Sequence, residues 1–334
     1  MLGSRISRRA AGTAAALIAC ATCVVGGAHA DEPAPAASDG CAAAAAPGES
    51  LQQFAAAGKA GSYILDVPNH TGPLPVVVDL HGYMEPAVIA HDVSGLSRLG
   101  AEAGFVTVTP QFEESGAPRW DFGPGSADIA YLSDLLTHVE STLCVDRARV
   151  YVAGMSMGAF TASSIACQLS GRVAAIAAVA GLQDFDWCRP DRAVPIIAFH
   201  GTADPIVAYT GGLGAHVRFL PKPDGTGSVD PDDHSGSPGG PGPRSIPDNA
   251  AAWARRNGCG TDPATQRVAR DATLTVYACP AGADVELYSV DGGGHAWPGS
   301  SATLYPTLIV GASMNSISAT TLMWDFFRAH PLRS

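Results

Sequence analysis

The chain has 334 residues, of which 46% are hydrophobic and 15% charged, with a formal net charge of −11. That is enough apolar material for one large α/β core. The acidic balance and the lack of a Lys/Arg cluster in the body of the chain exclude the electrostatic footprint of a nucleic-acid binder.

Residues 1–30 read as a secretory signal peptide. Arg5, Arg8 and Arg9 open it, an apolar run from Ala10 to about Val25 follows, and Ala28-His29-Ala30 is a small-x-small cleavage site. Cleavage there takes the formal charge from −11 to −14. A second reading, lipid attachment at Cys20 within Leu17-Ile18-Ala19-Cys20, stands beside secretion to the extracellular space. No other segment is apolar and long enough to span a membrane. Six cysteines remain beyond the leader: Cys41, Cys144, Cys167, Cys188, Cys259 and Cys279. An even number in an exported chain implies disulfides, although six cysteines allow 15 pairings.

Residues 31–50, rich in Ala, Pro and Ser, read as a flexible lead-in to a single domain over 51–334. Strand candidates then alternate with helical patterns. The strands are Ser62–Val67, Leu74–Leu80, Phe105–Thr109, Arg149–Ala153, Val173–Val179, Val194–Phe199 and Val285–Val290, several ending in glycine. The helices are Val88–Ala103, Asp128–Leu143, Met157–Leu169, Pro247–Arg256 and Asn315–Ala329. Short apolar runs in this alternation predict a mostly parallel sheet with helices on both faces. Pro221–Pro247 interrupts the rhythm with seven prolines and six glycines, and reads as a loop insertion.

Gly154-Met155-Ser156-Met157-Gly158 lies between the strand RVYVA and a helix rich in small residues. In that setting G-x-S-x-G describes a sharp turn that lifts a serine hydroxyl above the sheet edge. A serine needs a base, and the base an acid to orient it. His295, in the Gly292-Gly293-Gly294-His295 loop after the last core strand, is the candidate base among ten histidines. Asp204, in the Gly201-Thr202-Ala203-Asp204 segment into which the strand VPIIAFH runs, is the candidate acid, with Asp184 and Asp186 as rivals. His81 and His200, each before a glycine at a strand end, are expected to hydrogen-bond locally and fix their loops. The amides of Met157 and Tyr83 are candidate oxyanion donors. Trp120 and Trp297 are candidates for a substrate-binding wall. No metal or cofactor is required by such a site. A histidine base loses function when protonated, so activity should fall below about pH 6.5, before any perturbation.

Together LHGY at 80–83, CVDRARVYVAGMSMGA at 144–159, HGTADPIV at 200–207 and GGGHAWPG at 292–299 resemble secreted esterases related to polyhydroxybutyrate depolymerases and feruloyl esterases. The resemblance runs over about residues 60–330. It implies an α/β-hydrolase fold, a Ser156–Asp204–His295 triad, and the pairs Cys41–Cys144, Cys167–Cys188 and Cys259–Cys279. It implies ester or polyester substrates of the depolymerase kind, with feruloyl or acetylated cell-wall esters as the alternative. A serine peptidase and a non-catalytic binding protein of the same fold remain as rivals. The 221–247 insertion is this chain's departure from the group, and nothing in the sequence fixes an oligomeric state.

Overall fold

The computed structural model describes residues 34–42, 45–112, 116–222, 224–230, 244–301 and 306–333, with Met1. The chain divides into Met1–Pro33 and Ala34–Ser334, and the architecture below is that of the second unit. The signal peptide and much of the 221–247 insertion lie outside the described residues.

Ten strands form one sheet: β1 (Gly48–Ala56), β2 (Lys59–Val67), β3 (Leu74–Leu80), β4 (Val106–Phe112), β5 (Val145–Met155), β6 (Ala175–Val179), β7 (Ile196–Gly201), β8 (Ala264–Ala269), β9 (Ala272–Val276) and β10 (Val285–Val290). Their order is β1-β2-β4-β3-β5-β6-β7-β10-β9-β8. The six central strands, β4 through β10 in that order, are parallel, and antiparallel hairpins close each side. Among the described residues, seven α-helices accompany them: α1 (Ala87–Ser94), α2 (Leu96–Ala103), α3 (Ala127–Thr142), α4 (Met157–Gln168), α5 (Ile246–Arg256), α6 (Thr307–Val310) and α7 (Ala319–Ala329).

Successive strand residues face opposite sides, and both sides are apolar. Val76, Val78, Val150, Val152, Ile176 and Ile196 share one core with side chains of α3, α4 and α5 such as Leu135, Ile165 and Trp253. Val77, Tyr151, Ala153, Ala177, Ile197 and Phe199 share the other with Val93, Leu96, Met323 and Phe327 of α1, α2 and α7. Every residue of β6 is buried, which is why this strand reads as an unbroken apolar run.

Four features depart from the sequence reading. The helical pattern Val88–Ala103 is two helices, because Gly95 at φ 61° ends α1 and starts α2. The last helix begins at Ala319, not Asn315, where the Ser318 hydroxyl accepts the Thr321 amide. β1, β8 and β9 carried no strand signal. β8 is almost wholly exposed and β1 partly so, so neither needs an apolar face. The described part of the lead-in is anchored, not flexible. Ser38 is buried, donates to Leu143 O at 2.6 Å and accepts Val145 N at 3.0 Å. Ala37 bridges to Asp146, and Cys41 is bonded to Cys144. The other two disulfides are Cys167–Cys188 and Cys259–Cys279, so all three pairs are those implied by the resemblance.

Candidate active site

β5 runs straight into Ser156, whose φ of 57° and ψ of −120° put a non-glycine residue in a strained conformation. The turn is held from both sides. Ser156 N donates to Val179 O of β6 at 2.8 Å, and its carbonyl accepts the amides of Ala159 and Phe160 at the start of α4. The flanking glycines are needed for space: a Cβ on Gly158 would overlap the Leu80 carbonyl, and one on Gly154 would run into the Gly158 backbone. Ser156 is partly exposed. The Met157 amide opens α4, where helix geometry leaves N–H groups without intrahelical partners.

Asp204 and His295 come from the loops after β7 and β10, which are neighbours in the sheet. His295 Nδ1 donates to Asp204 Oδ2 at 2.8 Å, and both residues are buried. The three glycines before His295 bring its loop back over the sheet. Gly292 has φ 71°, and Gly294 packs so closely on Val310 O that a side chain would not fit. His295 N donates to that same carbonyl at 2.6 Å. The rivals Asp184 and Asp186 are engaged elsewhere. Arg244 and Arg256 both pair with Asp184, and Arg244 also pairs with Asp186. No hydrogen bond joins the Ser156 hydroxyl to His295 in this structure.

Asp204 has a second histidine, whose contact with the carboxylate the sequence did not reveal. His200 Nε2 lies 2.9 Å from Val207 O and 3.2 Å from Asp204 Oδ2. The other carboxylate oxygen accepts the amides of Ile206 at 2.8 Å and Val207 at 3.0 Å. Burial opposes the Asp204 charge, but His295 and His200 outweigh it and hold the carboxyl well below the ordinary range. The signal was the four-residue spacing in His200-Gly201-Thr202-Ala203-Asp204.

On the other flank, the loop after β3 brings Gly82 against the Ser156 turn: a Cβ there would sit 3.4 Å from Ser156 Cβ. His81 Nδ1 donates to Gly82 O at 2.8 Å, and Tyr83 Oη donates to Pro221 O at 2.8 Å. Burial keeps the His81 ring neutral, with its pKa lowered to about 4. The two tryptophans are not an open wall. Trp120 is 3% exposed, lies 4.5 Å from the His81 ring at a tilt of 30° and donates to His81 O at 2.8 Å. Trp297 is 2% exposed and donates to Thr320 Oγ1 at 2.9 Å. Both brace loops from behind. Partly exposed aromatic rings lie elsewhere. Phe160, one turn into α4, meets Phe122 at 5.6 Å; Phe122 meets Phe185 at 5.8 Å, and Phe185 stacks on Trp187 at 4.8 Å.

Among the described residues, one group brings three possible metal donors within 4.8 Å of one another: Glu49, Asp66 and His91. Asp66 pairs with Thr107 of β4, level with Val77 in the middle of β3.

No protein-family model matches the chain. It is similar to feruloyl esterase B of Piromyces equi, at 30% identity over 185 residues, covering 53% of this chain and 31% of that protein. It is also similar to poly(3-hydroxyalkanoate) depolymerase C of Paucimonas lemoignei, at 32% identity over 116 residues, 32% of this chain and 28% of the other. The chain thus spans about a third or less of the length of these two relatives. Among solved structures, the acetyl xylan esterase of Aspergillus awamori superposes with a TM-score of 0.52 at 17% identity, over 74% of this chain and 94% of that one. The fold is that of the α/β-hydrolases. The resemblance read from the motifs, to esterases of the feruloyl and polyhydroxyalkanoate-depolymerase kind, holds in these comparisons.

Proposed function

We propose that this chain is an exported serine carboxylic-ester hydrolase. The observation that carries the reading is the buried Asp204–His295 hydrogen bond at 2.8 Å, on the sheet edge to which β5 delivers Ser156. In this reading His295 Nε2 takes the Ser156 proton as Oγ attacks the ester carbonyl. The Ser–His contact tightens when substrate binds, as is common for catalytic hydrogen bonds. Asp204 orients the ring and stabilises its charged form. The amides of Met157 and Tyr83 receive the oxyanion. His295 then protonates the departing alcohol, and water, deprotonated by the same ring, releases the acid from the acyl-enzyme.

The substrates proposed are polyester or oligoester chains of the hydroxyalkanoate kind. A second reading, a feruloyl or other aromatic acyl ester, is favoured by one observation: the partly exposed row Phe160, Phe122, Phe185 and Trp187 starting one turn past Ser156. Three disulfides fit an oxidising compartment, in keeping with export by the leader at 1–30. No described helix is long and apolar enough to cross a membrane. The test is hydrolysis of hydroxybutyrate oligomers, feruloyl esters, acetylated sugars and p-nitroanilides, with Ser156→Ala as control. Ester cleavage abolished in Ser156→Ala, with fluorophosphonate labelling of the parent alone, is the expected result. Unchanged activity in Ser156→Ala overturns the reading.

A further inference from the structure

Residues 81–85 form a turn in which four contacts bear on one peptide plane. Glu85 N donates to Gly82 O at 3.3 Å, closing the turn. His81 Nδ1 donates to the same carbonyl at 2.8 Å. Its Nε2 is buried without a hydrogen-bond partner, which fits a neutral ring carrying its proton on Nδ1. Gly82 N donates to Glu85 Oε2 at 2.5 Å. Met84, at φ 61°, sends its amide to Pro118 O at 2.8 Å. Both peptides flanking the Gly82–Tyr83 plane are therefore fixed.

The geometry of that plane follows. In a trans peptide the carbonyl and the N–H point in opposite directions. Two donors hold the Gly82 carbonyl, so the Tyr83 N–H points away from them, and no backbone carbonyl of the described residues takes it. Donation to the carbonyl also polarises the N–H across the plane. Glu85 is 4% exposed and lies with Asp79, Met155 and Trp297 around a crevice beneath the nucleophile turn. Burying a carboxylate there is costly unless its hydrogen bonds compensate.

We propose that Glu85 is a positioning residue: through Gly82 it sets the peptide whose Tyr83 N–H meets the developing oxyanion. The proposal rests on the serine-hydrolase reading above, and goes beyond it in assigning a role to a side chain outside the triad and the oxyanion hole.

The test compares kcat and KM on p-nitrophenyl acetate, normalised to serines titrated with diethyl p-nitrophenyl phosphate. Glu85→Ala should lower kcat per titrated serine by about ten- to a hundredfold with KM nearly unchanged, a part of what losing an oxyanion donor costs. Glu85→Gln, whose amide oxygen can accept the same N–H, should recover most of it. Glu85→Asp, one carbon shorter, should show a smaller fall in the same direction, and carries the test if the alanine variant does not fold. Parent-like kcat per titrated serine in the alanine or aspartate variant overturns the proposal, as does a rise in KM with kcat intact. Ser156→Ala, run alongside, separates the two failures: its retained activity sinks the serine reading, whereas an inert Ser156→Ala beside a parent-like Glu85→Ala sinks only the role of Glu85.

Discussion

Two loops of this molecule share one spacing and use it differently. His81-Gly82-Tyr83-Met84-Glu85 follows β3, and His200-Gly201-Thr202-Ala203-Asp204 follows β7. In both, the histidine meets a nearby carbonyl, Gly82 O or Val207 O. In both, the buried acid accepts backbone amides of its own loop. The difference lies in what the acid is set against. Asp204 presents Oδ2 to two imidazoles, so its loop holds a carboxylate against side chains. Glu85 is turned to the backbone, so its loop fixes an amide. The same short pattern at two strand ends thus places a side chain in one case and a peptide in the other.

Breaking the β7 loop should have the largest effect. Asp204→Asn should lower kcat by about 10³–10⁴-fold, as expected when the partner of a catalytic histidine loses its charge. Asp184→Asn, which removes an acid paired only with arginines, should leave kcat within about threefold of the parent. Comparable losses in the two variants, measured on the same ester, would refute the assignment. His200→Asn should be milder, about tenfold in kcat, since three of the donors to Asp204 remain.

The two loops should also answer pH with opposite signs. Asp204, whose pKa is lowered, contributes stability above about pH 4 that is lost as pH falls through its folded value. Asp79, at the end of β3, is the reverse. Burial raises its pKa to about 7, assisted by the Glu85 charge and opposed by the Ser94 hydroxyl at 2.6 Å. Its raised value favours the folded state below about pH 4, and that contribution is lost as pH rises through about 7. Asp79→Asn should therefore be more stable than the parent at pH 8, by about 1–3 kcal/mol, and not at pH 4. Thermal melts from pH 4 to 8 check this, and a parent-like pH slope in the variant would count against it.

The smallest effect concerns α1, which leads away from Glu85. The Asp66 carboxylate, 3.0 Å from His91 Nε2, raises the His91 pKa to about 9 against the opposing effect of burial. That pairing stabilises the fold fully below about pH 6.5 and is lost as pH rises through about 9. His91→Gln should cost about 1 kcal/mol at pH 6, or about 2–4 °C of Tm, and almost nothing at pH 10. An equal Tm difference at both values would show that the contact acts by packing alone.

The sequence carried the centre of the molecule better than its margins. Central strands are apolar on both faces, so β3 to β7 and β10 stand out as runs. β8, with no buried residue, leaves no such trace. The elbow was legible because steric crowding demands glycine at 154 and 158. Ser156, Asp204 and His295 could be singled out because each follows a strand end, and the structure pairs Asp204 with His295. Trp120 and Trp297 were misread because a tryptophan near a site looks the same whether it faces solvent or supports a loop from below. Glu85 went unread because a lone glutamate in a loop carries no mark of burial; only the repeated four-residue spacing links it to Asp204.

The anchoring of Ser38 and Cys41 beside Val145 and Cys144 has a topographic result. Those residues sit where β5 starts, and Ser156 sits where it ends, about 25 Å away, since the bulged strand matches Val145 to Leu74 and Gly154 to Leu80. Ala36, whose amide donates to Asp146 Oδ1, therefore lies at the end of β5 opposite Ser156. The disulfide and the Ser38 hydrogen bonds thus tie the chain down at the far end of the strand, leaving the turn at Ser156 unencumbered by that anchor.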